Sequence, residues 1–141
     1  MMENKSNTHL KSKQVIIIRK DLNMRKGKQI AQGAHASMKV ILDLMSANIV
    51  DNKISLILDM ESNSAMSDWL NGIFTKICVS VDSEKELVDI YEKAISLGIP
   101  SSLIDDAGLT EFNGVPTKTA VAIGPGWNNE INQITGHLKL L

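Results

Sequence analysis

The run Gln14-Val15-Ile16-Ile17-Ile18, bounded by Lys13 and Arg19, is continuously β-branched after its first residue. An apolar run without polar alternation marks a strand covered on both faces and places this segment at the centre of a sheet. Lys20 to Met24 connects it to a helix expected over Arg25 to Ala47. On that helix Lys28, Gln32, His35 and Lys39 recur at i, i+4, i+7 and i+11 as one polar stripe. Ala31, Ala34, Met38, Ile41, Leu42 and Met45 form an apolar face about 100° away. The apolar face is expected to pack on the sheet, which puts His35 at the rim of the core.

Between Asn48 and Ser67 the pattern is mixed. Lys53 to Leu58 reads as a strand, and Ser62-Asn63-Ser64 leads into a short helix through Trp69 and Leu70 that Gly72 closes. Thr75 to Val81 returns to a β-branched strand pattern. Ser83 and Glu86 form a capping box for a helix carrying Leu87, Ile90, Tyr91, Ala94 and Ile95, with Gly98 as its stop. Pro100 to Ile104 reads as a third strand of the sheet, Asp105 to Thr117 as a loop, and Lys118 to Ile123 as a fourth strand. After Gly124-Pro125-Gly126, the residues Ile131, Ile134 and Leu138 mark a final short helix with an Asn N-cap, ending near Gly136. Strands alternating with helices define an α/β fold, a three-layer α/β/α sandwich. The helix-free step from third to fourth strand makes one strand antiparallel in a mixed, mostly parallel four-stranded sheet.

Length and composition narrow the picture. The 141 residues, 43% of them hydrophobic, suit one domain, expected over 14–141, behind a disordered N-terminal tail over 1–13 that includes His9. Aromatics make up only 4%, which argues against a base-stacking aromatic sheet and for an aliphatic core. The single Cys78 allows no internal disulfide, and its place in Ile77-Cys78-Val79 reads as a small buried thiol in a reducing cytoplasm. No apolar run is long enough to span a bilayer, and no leader-like apolar segment opens the chain, which points to a cytoplasmic location.

The net charge of -1 hides a strong asymmetry. Residues 1–39 carry nine Lys and Arg against two acids, and residues 40–141 carry six against fourteen. The basic excess falls on RKDLNMRKGKQIAQGAHA, residues 19–36, where a strand ends and a helix begins. Helix N-termini favour anions, so this edge suits a phosphate-bearing ligand.

That segment, together with SLIDDAGLTEFNGVPTKTAVAIGP at 102–125 and TGHLKLL at 135–141, resembles the type 2 peptidyl-tRNA hydrolases. The likeness runs from about Lys13 to the C-terminus and is weakest between Asn48 and Gly72. The resemblance implies a mixed four-stranded sheet with helices on both faces, a homodimer, and hydrolysis of the ester joining a peptide to the 3′ ribose of tRNA. It carries the family's functional residues onto Lys28 and His35 of the first helix and onto Asp106 and Thr110 of the loop after the third strand. Leu109 stands where the family often has Arg, leaving one possible RNA contact without its cation. Gly33 stands where Cys is frequent and Asp105 where many members carry Gln. The text EFNGVPTKT looks like a bacterial or viral branch rather than the eukaryotic one.

Hydrolysing an ester needs an aimed water, a group to take its proton and donors for the oxyanion. His35 is expected to accept the proton directly or through water, with Asp106 orienting the imidazole; water activation by the Asp106 and Thr110 pair is the alternative. Lys28 would hold the terminal phosphate or the carbonyl, and Thr110 would position the water or donate to the oxyanion. No cofactor is implied and no metal is needed, because the histidines at 9, 35 and 137 lack ligand spacing. Arg19, Lys20, Arg25, Lys26 and Lys28 gather on the ligand side of the sheet as a phosphate-binding edge for tRNA, with Gln32 lining it. Two other readings share these features: a non-catalytic RNA- or protein-binding module of the same fold, and an aminoacyl-tRNA esterase.

Overall fold

The computed structural model describes residues 11–141. The central strand is β1 (Ser12–Arg19). Val15 and Ile17 enter one hydrophobic core while Ile16 and Ile18 enter a second on the opposite face, which is why no polar residue interrupts the run. Each such side chain, nearly or fully buried, contributes about 1.5–3 kcal/mol. The strand starts at Ser12, earlier than the apolar run; residues 1–10, with most of the expected tail and His9, lie outside the described residues.

After β1 come α1 (Lys26–Leu44), the hairpin strands β2 (Ser46–Val50) and β3 (Lys53–Ile57), α2 (Ala65–Asn71) and β4 (Lys76–Val81). Then follow α3 (Glu84–Ser96), β5 (Ser101–Asp106), β6 (Thr117–Trp127), α4 (Asn128–Thr135) and β7 (Lys139–Leu140). The main sheet has five strands in the order β5-β6-β1-β4-β7, and β2 and β3 form a separate two-stranded sheet. One core lies under α3 and α4, through Leu87, Ile90, Ala94, Ile131 and Ile134. The other lies under α1 and α2, through Ala36, Val40, Ile41, Met66 and Trp69, so the three-layer arrangement is present.

The sheet differs from the expected four-stranded, mostly parallel one. Among the described residues only β1 and β4 pair in parallel; β1 with β6, β5 with β6, and β4 with β7 are antiparallel. The cause is the position of β6, which returns directly from β5 and inserts between it and β1, so both neighbours run against it. β7 is too short to show a period in the sequence and extends the β4 edge.

Local capping follows the residues that signal it. Ser64 accepts from the Ser67 N–H at the start of α2, and Ser83 accepts from the Glu86 N–H at the start of α3. Gly98, with φ +74, follows the end of α3. Other boundaries move. α1 stops at Leu44 because Ser46 to Val50 pairs with β3 across a turn in which Asp51 and Asn52 both have positive φ. Such a turn matches the twist of a hairpin. β5 continues through Asp105 and Asp106, and β6 runs on through Gly124-Pro125-Gly126, because both ends stay paired. Trp127, without a side-chain capping bond, precedes α4 in place of the expected Asn.

Two burial expectations are corrected. On α1 the covered residues are Gln32, Gly33, Ala36, Val40 and Ile41, while Ala34, Met38 and Leu42 of the anticipated apolar face are exposed. Close approach decides the orientation: a Cβ on Gly33 would already sit 3.4 Å from Ile16 Cγ2, and the β6 side chains in the apolar core of this layer are the small Ala120 and Ala122. Cys78 is exposed, on the face of β4 that carries Lys76 and lies beyond the cover of α1. Among the described residues no helix is long and apolar enough to cross a membrane.

Candidate functional site

The chain leaves β1 through a 3-10 turn at Lys20–Leu22, takes a left-handed conformation at Asn23 with φ 53, and buries Met24 before α1 begins. Gln29 Nε2 donates to Met24 O at 2.9 Å and ties this entry to the first turn of the helix. Lys28 and Gln32, one turn apart, therefore face the end of β5. There the pairing of β5 with β6 shifts register between Ile104 and Asp105. Such irregularities re-aim side chains. Asp105 faces outward, 3.7 Å from the Lys118 ammonium, and Asp106 faces α1.

The loop from Ala107 to Pro116 folds back on itself. Gly108 has φ +81, and a Cβ there would lie 2.5 Å from Val115 O, so both conformation and space require glycine. The Gly108 N–H donates to Asp106 Oδ2 at 3.0 Å, and the Gly114 N–H donates to Gly108 O at 2.8 Å. This closed loop carries Thr110 over Lys28.

The Lys28 ammonium donates to Asp106 Oδ1 at 3.0 Å and to Thr110 Oγ1 at 2.8 Å. The ion pair is well covered, with side chains 12% and 16% exposed. Gln32 Nε2 adds a bond to Asp106 Oδ1 at 3.4 Å, and the buried Thr119 hydroxyl donates to Gln32 Oε1. That second bond fixes which end of the Gln32 amide faces the carboxylate. The Phe112 ring centroid lies 5.8 Å from the Lys28 ammonium. Burial by itself pushes the Asp106 carboxyl up. The bonds from Lys28 and the Gly108 N–H, the Lys28 charge and the Gln32 amide outweigh it and hold the group below the usual carboxylate value. Two of the three ammonium hydrogens are committed, and one is left for a ligand.

His35 lines the same cleft, whose volume is about 630 Å³, together with Arg25, Leu109 and Glu111. Its ring is exposed and makes no side-chain hydrogen bond among the described residues. Asp106, expected to orient the imidazole, is held by Lys28, Gln32 and Gly108 instead. The helix explains this: Lys28 lies about 10 Å nearer the N-terminus of α1 than His35 and reaches the β5 end first.

The expected phosphate edge divides. Lys20 and Arg25 are exposed, with Arg25 Nε 3.7 Å from Glu111. Arg19 is turned inward. It pairs with Asp21 at 2.6 Å, donates to Lys118 O at 3.0 Å and lies 3.7 Å from Glu84, so its guanidinium is used within the fold. Gln32 is buried and bonded to Asp106 and Thr119 rather than lining an open edge. Lys26 borders a different hollow with Ile30, Cys78 and Leu141, because two helical residues apart is nearly half a turn. Thr119 and Phe112 escape sequence reasoning: one is a β-branched residue in a β-branched strand, the other an isolated aromatic in a loop. Among the described residues no group of three or more His, Cys, Asp and Glu is placed to hold a metal ion.

Fold and site together define the chain as an α/β sandwich with a polar, cation-bearing cleft between a strand end and a helix start. Residues 12–141 match the family model for peptidyl-tRNA hydrolase PTH2, and the chain belongs to that family. It is 46% identical over 129 residues to a peptidyl-tRNA hydrolase of Methanocaldococcus jannaschii, covering 92% of this chain and 99% of that protein. Peptidyl-tRNA hydrolases of Sulfurisphaera tokodaii and Thermococcus sibiricus are 40% and 39% identical, over 92% and 93% of this chain and 98% of each relative. These relatives are archaeal, and the bacterial or viral branch suggested by EFNGVPTKT finds no support among them.

Proposed function

We propose that the chain hydrolyses the ester between a peptide, or an N-blocked amino acid, and the 3′ ribose of tRNA, returning tRNA to translation. The observation that carries this reading is the convergence of Lys28 with Asp106 and Thr110, 78 and 82 residues away in sequence, at hydrogen-bond distance in an open cleft. Asp106 holds the ammonium in place, and its remaining hydrogen donates to the ester carbonyl as negative charge develops there. The Thr110 oxygen accepts from Lys28, which leaves its hydroxyl hydrogen to donate to the same oxyanion or to position the water. His35, unengaged among the described residues, takes the proton of the attacking water and returns it to the departing ribose oxygen. The water oxygen bonds to the carbonyl carbon, and the bond from that carbon to the 3′ oxygen breaks. Lys20 and Arg25 hold phosphates without reading bases, which suits an enzyme serving many tRNAs.

The reading extends to the setting. The protein acts in the cytoplasm, where translation produces the substrate, and as a homodimer; the exposed apolar side of α1 supports an assembly. Incubation with N-blocked aminoacyl-tRNA and with free aminoacyl-tRNA, following release of the acyl group, tests the activity. Cleavage of the blocked ester alone is expected. Equal cleavage of both marks an aminoacyl-tRNA esterase, and cleavage of neither leaves a binding module.

A further inference from the structure

The hairpin of β2 and β3 is amphipathic and uncovered. Ala47 stands opposite Leu56 and Ile49 opposite Ile54, so these four side chains make one wholly apolar face, while the other face is mixed, with Ser46, Asn48, Lys53 and Ser55 beside Val50 and Ile57. Ile49, Ile54 and Leu56 are 70%, 66% and 56% exposed. A wholly apolar sheet face belongs against a core, and a lone two-stranded hairpin in water is marginal at best.

A second uncovered apolar surface lies on α1. Ile30, Ala34, Met38 and Leu42 follow one another at intervals of four and are all exposed. Beside them run two hollows of about 300 and 460 Å³ that share Ile16 and Ala34 and therefore form one groove along the helix. The dimensions agree: five-residue strands are about 17 Å long, and α1 rises about 18 Å from Ile30 to Leu42.

From these observations we infer that the chain dimerises by arm exchange, the apolar face of each hairpin seating on the α1 groove of a second copy. The inference rests on the homodimer reading above and assigns its interface. Hairpin and stripe together expose on the order of 700 Å² of apolar residue surface per copy, close to the roughly 800 Å² per partner buried in a standard stable interface. Pairing hairpin with hairpin would leave the groove open, and pairing helix with helix would leave the hairpins in water. Reciprocal exchange covers both.

Sedimentation velocity on the full chain tests this, with Ile49→Asp on the apolar hairpin face, Met38→Asp on the stripe, and Val50→Lys on the opposite hairpin face. The wild type and Val50→Lys are expected to run as dimers, and the Ile49 and Met38 variants as monomers. An equimolar mixture of the two monomeric variants is expected to regain association, because one unaltered arm then meets one unaltered groove. A monomeric wild type overturns both the homodimer and the arm exchange. A wild-type dimer that persists in either the Ile49 or the Met38 variant overturns the arm exchange alone, and hydrolysis of N-blocked aminoacyl-tRNA is read separately on every sample.

Discussion

Replacing Asp106 by Asn tests the ionic centre with almost no change of shape. In the wild type one carboxylate oxygen receives Lys28 and Gln32 and the other receives the Gly108 N–H. An amide offers one acceptor and two donors, so either rotamer sets a donor against the Lys28 ammonium or against the Gly108 N–H. The ammonium, with its side chain only 12% exposed, also loses its counter-charge. One mismatched buried donor costs about 1–3 kcal/mol and the charge assistance adds to it, giving roughly 2–3 kcal/mol at these part-buried positions. For a chain of this length that is a fall in Tm of about 5–12 °C. Loss of the held ammonium is expected to cut turnover of N-blocked aminoacyl-tRNA at least about 10²-fold.

The same variant predicts a pH dependence. The folded Asp106 carboxyl lies below its unfolded value of about 3.9, so its contribution to stability is fully present above that pH and disappears as pH falls through the lower folded value. The stability gap between wild type and Asp106→Asn, measured by denaturant titration, is therefore flat from about pH 5 to pH 8 and narrows below about pH 4. A gap that closes between pH 5 and 8, or a variant with wild-type Tm and turnover, would refute the assignment of Asp106 as the counter-ion of a functional lysine.

Three further expectations follow from the same geometry. His35→Ala should lower kcat by about 10²-fold or more with little change in Tm, since the ring makes no side-chain bond among the described residues; a normal kcat removes it as the base. Arg25→Ala should reduce the slope of log affinity against log salt by nearly one, while Lys26→Ala, which faces the other side of α1, should leave it unchanged; equal effects would show that both contact phosphate. Thr119→Val should free the Gln32 amide, lowering kcat more than it raises KM, and Thr119→Ser should restore it; loss of stability with intact kcat would make the bond purely structural.

What the sequence reveals follows from the range of the forces involved. The β1 run, the Ser83 cap and the Gly72 and Gly98 stops are local features, and each appears at or within a few residues of its expected place. Strand order is set by non-local pairing, so the insertion of β6 and the two-residue β7 had no local signature. In the site, Lys28, Asp106 and Thr110 were singled out through three separated motifs read together, and the fold brings them within hydrogen-bond distance. Their connections were not legible. The spacing along α1 shows which residues share a stripe but not which one the β5 end meets, and Lys28 rather than His35 takes the carboxylate. Arg19 and Lys26 show the limit of counting charge: one is consumed by Asp21, and the other sits on the far side of its helix.

The reversal of α1 links the site to the proposed assembly. A helix of this composition gains most by burying Met38, Leu42 and their neighbours, yet beside Val40 and Ile41 it buries Gln32, Gly33 and Ala36. That orientation is what aims Lys28 at Asp106 and brings Gln32 between Asp106 and Thr119. Small residues on both sides compensate in part, since Gly33 lets the helix lie close to Ile16 while Ala120 and Ala122 keep β6 low. The apolar residues displaced outward then become a surface that a second copy is suited to cover. The same rotation that builds the polar cleft on one side of the helix thus exposes the groove on the other.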